Sequence, residues 1–212
     1  MKDIKLVIFD LDGTLVDAYP AITGSFNYTM QRLGYPMKSS FIIRRAVGWG
    51  DENLLKPFMK PDDIPSGLSV YRKHHKSALI RESRLFPKAD KVLGYLKRKG
   101  YRLAVASNRP TRFSLILIRH LKIKKYFDYV LCSDKLRQIK PHPQIINKIM
   151  RRFILRPSET IYVGDMTIDA RAGKAAKVKT IIVTTGSSSR EEIKRERPYR
   201  VIGRIAELLR IL

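Results

Sequence analysis

Short apolar runs recur along the chain and alternate with segments of helical periodicity. The runs lie at residues 4–9, 103–106, 129–132, 161–163 and 180–183. Runs of this length, bounded by polar residues, are typical of buried strands. Amphipathic periodicity follows at residues 89–99, 111–121, 144–152 and 168–176. Strands that alternate with helices predict an α/β fold, a doubly wound parallel sheet with a Rossmann-like core.

The alternation is interrupted between residues 18 and 86. This stretch contains no convincing strand, and helical periodicity occurs four times, at residues 21–33, 40–46, 52–59 and 64–80. We therefore predict a small helical cap domain of residues 18–86, inserted after the first strand. Residues 1–17 and 87–212 then form the catalytic core, with its ligand site at the carboxyl ends of the strands.

Composition narrows the class of protein. The chain has 212 residues, of which 44% are hydrophobic, enough to bury a core. No apolar run approaches the roughly 18–20 residues of a membrane span, and the N-terminus is too short and too soon acidic for a signal peptide. The single cysteine, Cys132, excludes an internal disulfide. These features predict a cytoplasmic protein that does not contact membranes.

The net charge is unusually high. Lys and Arg number 43 against 19 acidic residues, which gives +24 at pH 7. The basic residues are spread along the chain in short clusters, such as residues 97–99, which favours solvated faces over a dedicated binding stripe. We expect non-specific nucleic-acid binding at low salt that weakens steeply as salt rises.

The most informative string is FDLDGTLVD, at residues 9–17. Asp10 and Asp12 come just after a predicted strand and two positions apart, so in extended backbone they point the same way. Paired carboxylates repel each other, and both stay ionised at low cost only beside a cation. Gly13 permits an unusual backbone angle and close approach of a ligand. An ordinary Asx turn is the alternative.

A second acidic pair follows the predicted strand at residues 161–163. Asp165 and Asp169 are four residues apart, so they share one face of a first helical turn. Carboxylates in that position suit a hard cation such as Mg²⁺. A helix N-terminus that is simply rich in acidic residues is the alternative.

Two shorter elements could bind an anion. Ser107 directly follows a predicted strand, where its hydroxyl can donate to a phosphate oxygen, and Asn108 comes next. Pro141 restricts Lys140 to extended geometry, which could hold a fixed cation. The alternatives are a helix cap and a solvated lysine.

Together these elements resemble the motifs of the haloacid dehalogenase superfamily. FDLDGTLVD resembles the first motif, ASN the second, KP the third and GDMTID the fourth. The segment LFPKADKVLGYLKRKGYRLAVASNRP resembles the stretch that leads from the cap to the second motif. The similarity covers nearly the whole chain, is weakest in the cap and at the C-terminal end, and is greatest to the phosphoglycolate phosphatase group.

The resemblance implies a role for each motif residue. Asp10 is the nucleophile, and Asp12 is the general acid and then the general base. Mg²⁺ is bound by Asp10, Asp165 and the backbone carbonyl of Asp12, and by Asp169 directly or through water. The implied phosphate and substrate contacts come from Gly13, Ser107, Asn108 and Lys140.

The resemblance also assigns residues around the substrate. The insertion corresponds to a helical cap that closes over the site, and Trp49 in its AVGWG loop is a candidate to shield the phosphate. Three arginines are candidates for a second anionic group of the substrate: Arg44, Arg45 and Arg109. We expect His74 and His75, on the last cap helix, to be solvated.

The resulting prediction is a Mg²⁺-dependent phosphatase of a small phosphorylated metabolite, with 2-phosphoglycolate as the leading substrate. A phosphomutase would use the same aspartyl phosphate. A phosphatase of nucleotides, pyrophosphate or sugar phosphates would use the same fold. A basic nucleic-acid-binding protein with a vestigial site is the alternative from another class.

Overall fold

The structure is a computed structural model that describes residues 3–212. Its strands are β1 (Leu6–Phe9), β2 (Val16–Asp17), β3 (Arg84–Leu85), β4 (Arg102–Ser107), β5 (Tyr129–Cys132), β6 (Thr160–Gly164), β7 (Lys179–Val183) and β8 (Arg200–Ile202). Six of them form a parallel sheet in the order β5-β4-β1-β6-β7-β8, which confirms the predicted doubly wound α/β fold.

Helices cover both faces of the sheet and fill the segment between β2 and β3. They are α1 (Tyr19–Arg32), α2 (Ser40–Ala46), α3 (Asp51–Leu55), α4 (Ile64–Glu82), α5 (Ala89–Arg98), α6 (Thr111–His120), α7 (Gln144–Phe153), α8 (Thr167–Ala175) and α9 (Arg190–Arg195). None of the helices within residues 3–212 combines the length and apolarity that crossing a membrane requires.

The strands are buried on both faces because helices pack on each side. Every residue of β1 is buried, and its side chains alternate between the two faces of the sheet. Val7 and Phe9 belong to the apolar cluster that includes the buried faces of α5 and α6. Leu6 and Ile8 belong to a second cluster, which includes the buried face of α7. Strands in such a position read as continuous apolar runs, which explains the sequence pattern.

The segment between β2 and β3 leaves the sheet and returns to it at adjacent points. β2 and β3 pair antiparallel, with Val16 opposite Leu85 and Asp17 opposite Arg84. Between them, α1 packs against α4, and their apolar faces join the cluster that covers one face of the sheet. The helical segment therefore lies against the core at the edge where β1 ends.

Several short elements differ from the sequence prediction. The prediction that residues 18–86 contain no strand is wrong, because β3 lies there. β8 and α9 were not predicted. The helix expected at residues 52–59 ends at Leu55 and continues as a 3₁₀ helix, Lys56–Phe58, because Pro57 lacks a backbone N–H. Elements of two to six residues contain too few repeats for periodicity to reveal them.

Candidate active site

Residues of three predicted motifs meet at one edge of the sheet, where β1, β4 and β6 end. Asp10 directly follows β1, Ser107 is the last residue of β4, and Asp165 directly follows β6. β1 pairs with both β4 and β6, so the three strand ends are neighbours. In doubly wound sheets ligands bind at this edge, which makes it the candidate active site.

Three buried carboxylates form the centre of the site. Asp10, Asp165 and Asp169 each present an oxygen, and these oxygens lie within 4.8 Å of one another. Burial raises the pKa of Asp10, and the nearby charges of Asp169 and Asp12 raise it further against the opposing effect of Lys140. Burial, with the charges of Asp169 and Asp10, also raises the pKa of Asp165 well above its usual value. The negative charge of the cluster therefore exceeds the positive charge that Lys140 supplies.

Lys140 is buried in this cluster. Its Nζ donates hydrogen bonds of 2.8 Å to Asp10 Oδ1 and to Asp169 Oδ1. Burial disfavours the charge of Lys140, but these two carboxylates outweigh burial and raise its pKa well above the usual value. The third motif therefore supplies a permanent ammonium beside the predicted nucleophile.

Asp169 is held by protein donors on both of its oxygens. Oδ2 accepts from the backbone N–H groups of Asp165 and Met166, at 3.2 and 3.0 Å. Oδ1 accepts from Lys140 and from the hydroxyl of Tyr162, at 2.6 Å for the tyrosine. A carboxylate offers about four acceptor positions, so those of Asp169 are largely occupied. This favours contact with a metal through water over direct ligation.

Asp12 lies beside the cluster and is bound by Arg109. Its Oδ2 accepts from Arg109 Nε at 2.9 Å and forms an ion pair with Arg109 Nη2 at 2.8 Å. Its Oδ1 is buried and has no hydrogen-bond partner in the described part of the chain. Leaving a buried carboxylate oxygen unpaired costs free energy. Oδ1 is therefore the atom at which a proton or a substrate oxygen would be best accommodated.

Asp165 fits between two glycines. Gly13 has a φ of +83°, and a Cβ at Gly13 or at Gly186 would overlap with Asp165 Oδ2. Thr14 Oγ1 donates to Asp165 Oδ1 at 2.9 Å and fixes its orientation. Gly13, predicted as a phosphate contact, thus has a steric role as well. The sequence analysis did not single out Thr14 or Gly186, because both contact Asp165 only in the tertiary structure.

Ser107 and Asn108, of the second motif, form hydrogen bonds with the backbone of neighbouring loops. Ser107 Oγ accepts from the backbone N–H of Arg109 at 3.1 Å. The side-chain amide of Asn108 donates to the carbonyls of Gly48 and Lys140 and accepts from the backbone N–H of Lys140. The Asn108 amide is thus bound to backbone groups in this conformation, while the residue also lines the cavity at Asp10. Asn108 connects the helical segment to the third motif.

Arg44 and Arg45, which we expected at the substrate, bind the loop after β7 instead. Arg44 Nη2 donates to the carbonyls of Thr185 and Gly186, at 2.7 and 3.1 Å. Arg45 Nη1 donates to the carbonyl of Ser187, and its Nη2 forms a 2.6 Å ion pair with Glu192. Both side chains tie α2 to the loop after β7, because that loop exposes carbonyl oxygens beside α2. The expectation that they bind a substrate anion is corrected.

Trp49 lies outside the catalytic cavity. Its side chain is 39% exposed and lines a neighbouring cavity of about 280 Å³. Gly48 and Gly50, on either side of it, have φ values of +113° and +85°, in the left-handed region that favours glycine. In this conformation Trp49 does not shield the phosphate position.

His75 was expected in solvent, and this expectation is wrong. Its side chain is completely buried, because α4 packs between α1 and α6. Burial, and then the charge of Arg109, lowers the pKa of His75 to about 2. His74 is partly buried and stacks on Tyr28 with ring centroids 4.3 Å apart.

A small cavity joins the motifs to the helical segment. Its volume is about 60 Å³, and a water needs roughly 10–15 Å³ on this measure, so it suits only a compact ligand. The core contributes Asp10, Asp12, Ser107, Asn108, Arg109, Lys140, Met166 and Ile168 to its walls. The helical segment contributes mainly apolar residues together with Asp51, which the sequence analysis had not singled out.

The donor set fits a hard divalent cation. Asp10, Asp165 and Asp169 offer only carboxylate oxygens, and all three are buried. Lys140 compensates for only part of their negative charge, so a bound cation would relieve the repulsion that raises the pKa values of Asp10 and Asp165. Oxygen ligands in a compact site are those that Mg²⁺ takes in proteins.

Comparisons with known proteins identify the family of this chain. A family model of the haloacid dehalogenase-like hydrolases matches residues 7–183. A phosphoglycolate phosphatase of Vibrio parahaemolyticus is 31% identical over 221 residues, 100% of this chain and 97% of that protein. One from Nitrosococcus oceani is 28% identical over 220 residues, 100% and 98% of the two chains. The crystal structure of a predicted phosphoglycolate phosphatase from Haemophilus somnus superimposes with a TM-score of 0.94 at 28% identity, covering 100% and 99%.

The fold places a cluster of buried carboxylates at the ends of parallel strands. The chain belongs to the haloacid dehalogenase-like hydrolases, and it is a phosphoric monoester hydrolase. The predicted family and enzyme class are thereby confirmed.

Gly186→Ala should lower phosphatase turnover by about 100-fold, because the new methyl would displace the Asp165 carboxylate. Phosphate release and a thermal unfolding curve measure the effect. Gly203→Ala is the matched control, since the nearest atom to its added methyl is the end of a flexible Glu207 side chain, 3.4 Å away. A folded Gly186→Ala protein within threefold of the parent would contradict the placement of Asp165.

Proposed function

We propose that this protein is a Mg²⁺-dependent phosphatase that hydrolyses a small phosphate monoester through an aspartyl phosphate on Asp10. The observation that carries the proposal is the position of Asp10. It is buried beside Asp165, Asp169 and the Lys140 ammonium, and it lines a cavity that Asp12 also lines.

In the first step, an oxygen of Asp10 forms a bond to phosphorus while the bond from phosphorus to the ester oxygen breaks. Asp12, carrying a proton on Oδ1, gives that proton to the leaving oxygen. Lys140 and Ser107 hold phosphate oxygens, and Lys140 offsets negative charge in the transition state. Phosphoryl transfer depends mainly on such positioning and charge neutralisation.

In the second step, the Asp12 carboxylate takes a proton from a water that attacks phosphorus. The bond between Asp10 and phosphorus breaks, and inorganic phosphate leaves. Division of one difficult step into two is the advantage of covalent catalysis. Asp10, Asp165, the Asp12 carbonyl and Asp169 would hold Mg²⁺. When bound, Mg²⁺ supplies positive charge that brings the phosphate and the Asp10 carboxylate together.

We also propose that residues 18–86 form a cap domain over a core of residues 1–17 and 87–212. Arg44 and Arg45 tie this segment to the loop after β7, and Asn108 ties it to the second motif. A cap in this position excludes water from the reaction and strengthens electrostatic interactions within the site.

The leading substrate is 2-phosphoglycolate. Two observations support it: the cavity of about 60 Å³ and the phosphoglycolate phosphatases among the relatives. Arg44 and Arg45 bind backbone carbonyls, which leaves Arg109 as the lining arginine that could meet the carboxylate. In this conformation Arg109 pairs with Asp12, so a second anion would have to share it.

A panel of small phosphate esters tests the function directly. We expect release of inorganic phosphate, fastest from 2-phosphoglycolate. Phosphorus retained in a phosphorylated sugar product would instead identify a phosphomutase. Preference for a nucleotide, pyrophosphate or a sugar phosphate would keep the mechanism and reject the substrate. A folded, Mg²⁺-supplied protein that releases no phosphate from any ester would contradict the proposed function.

Oligonucleotides with a terminal phosphate should be poor substrates. At ~0.15 M salt, we expect kcat/KM for small esters to exceed that for oligonucleotides at least tenfold, because the cavity is compact and the charge-driven attraction is screened. Parallel phosphate-release assays on both substrate types measure the ratio. Oligonucleotides that win by tenfold or more would show that the basic surface, at a net charge of +24, serves the function.

We propose that the protein works in the cytosol on a diffusible metabolite. The single cysteine, Cys132, is buried and cannot form an internal disulfide, which suits a reducing compartment.

A further inference from the structure

A buried polar chain runs from the helical segment to Asp12. Ser25 on α1 and His75 on α4 are both completely buried. His75 Nδ1 lies 3.1 Å from Ser25 Oγ, and His75 Nε2 contacts Arg109 Nη1. Arg109 then donates from Nε to Asp12 Oδ2 and forms an ion pair with it through Nη2. Each link is a direct hydrogen bond between side chains of different elements.

Only one tautomer of a neutral His75 satisfies its contact with Arg109. Arg109 has no acceptor, so His75 Nε2 must accept, and the proton of a neutral His75 must lie on Nδ1. Nδ1 then donates to Ser25 Oγ, while the Ser25 hydroxyl donates to the carbonyl of Ala21 at 2.7 Å. The directions of the two His75 hydrogen bonds are therefore fixed, and Nε2 is oriented as an acceptor toward Arg109.

The surroundings of His75 maintain this state. Its ring stacks on Tyr71 at a centroid distance of 4.9 Å and meets Phe113 of α6 edge-on at 5.5 Å. Burial and the Arg109 charge keep His75 neutral, with a pKa of about 2. A rigid, neutral acceptor can hold a guanidinium without competing with Asp12 for its charge. Charge-assisted hydrogen bonds of this kind are stronger than neutral ones.

We infer that His75 is a positioning residue for the general acid: by holding Arg109, it orients the Asp12 carboxylate so that Oδ1 remains free for the leaving group. The inference rests on the proposed function, in which Asp12 protonates the leaving oxygen. His75 belongs to the helical segment, whereas Arg109 and Asp12 belong to the core, so the contact exists only while the two are packed together. Packing of the helical segment against the core therefore also orients the general acid, Asp12.

The sharpest test compares leaving groups in a His75→Leu variant. Protonation matters for an alkyl ester such as 2-phosphoglycolate and little for 4-nitrophenyl phosphate, whose leaving group departs as a stable anion. We expect kcat/KM to fall by ~10–100-fold on the alkyl ester and by less than about threefold on the nitrophenyl ester. The first loss is part of the ~100–10,000-fold that general acid–base catalysis typically contributes. His75→Gln, whose carbonyl can accept from Arg109, should recover most of the loss.

Two control variants distinguish the positioning of Arg109 by His75 from a general contribution of His75 to the packing of the protein. His74→Leu removes a neighbouring histidine that also lies 3.1 Å from Ser25 Oγ and does not contact Arg109 in the described structure. It should leave both esters within twofold of the parent. The His75→Leu, Arg109→Met double variant should be no worse than Arg109→Met alone, since residues that act through one another are non-additive. Thermal unfolding shows whether each variant is folded. If His75→Leu does not fold, His75→Asn takes its place, because the asparagine side chain is too short to reach Arg109.

The outcomes are distinguishable. Equal losses on both esters, additive losses in the double variant, or no recovery with His75→Gln would overturn the inference and leave the phosphatase intact. A parent inactive on both esters would overturn the proposed function. In that case crystal structures of the parent and His75→Leu decide whether His75 positions Arg109. A displaced Arg109 guanidinium supports the inference, and an unmoved one rejects it.

Discussion

Asp10→Asn should reduce phosphate release by ~1,000-fold or more while the protein stays folded. The amide is nearly isosteric with the carboxylate and can still accept a hydrogen bond from Lys140, but it cannot form the bond to phosphorus. The substitution also removes one charge from a buried cluster in which carboxylates repel each other. We therefore expect thermal stability without metal to be at least that of the parent. Phosphate assays and thermal unfolding measure the two effects.

Asp90→Asn is the matched control for this change. Asp90 is exposed in the first turn of α5, away from the strand ends that form the site, so the same substitution there should leave turnover unchanged. Activity within tenfold of the parent in a folded Asp10→Asn protein would exclude the covalent mechanism.

Removal of divalent metal should abolish turnover, and addition of Mg²⁺ should restore it. Ca²⁺ should substitute poorly, because it favours a higher and looser coordination. Mg²⁺ should also raise the unfolding temperature, since binding at 100 times its Kd stabilises a folded protein by about 2.7 kcal/mol. In Asp165→Asn both effects should be lost, because this carboxylate lies in the centre of the buried cluster.

The metal prediction has two independent readouts. Activity is measured in excess chelator and after titration with Mg²⁺, and the unfolding temperature is measured with and without Mg²⁺ in the parent, in Asp165→Asn and in the Asp90→Asn control. Full turnover in excess chelator would refute the assigned metal site. The same Mg²⁺-dependent stabilisation in Asp165→Asn as in the parent would place the metal elsewhere.

The fold was largely predictable because the central strands are buried on both faces. The apolar run of β5, Tyr129–Cys132, has the predicted bounds, and the other four predicted strands differ by no more than two residues at either end. β8 was missed because Arg200 and a half-buried Val201 give a three-residue edge strand no clear apolar pattern. β2 and β3 are too short to show any period.

The site was predictable where chemistry and local backbone coincide, as at Asp10, Asp165 and Lys140. It was not predictable where a side chain could turn either way. Arg44 lies on the helix facing the site, but the carbonyl groups of the loop after β7 compete for its guanidinium. Nothing in the local sequence reveals that loop, because its contact with α2 forms only in the tertiary structure.

Two buried polar residues carried a signal that could have been used. Tyr162 interrupts an apolar strand with a hydroxyl, and a buried hydroxyl requires a partner, here Asp169. His75 occupies an apolar position of α4, in register with Tyr71 and Leu79. Four-residue spacing placed it on the buried face, and only the high polarity of the surrounding sequence suggested solvent.

The pairing of β2 with β3 has a consequence for how this enzyme can change over evolutionary time. The two connections to the helical segment leave the core one strand spacing apart, about 4.8 Å. In the topology of the sheet, the whole segment therefore takes the place of a hairpin loop between two paired strands. Residues that select the substrate can diverge there without shifting the register of β1, β4 or β6. Changes of the substrate in this chain therefore need no change of the sheet, provided that the contacts of His75 and Gly48 with the core are kept.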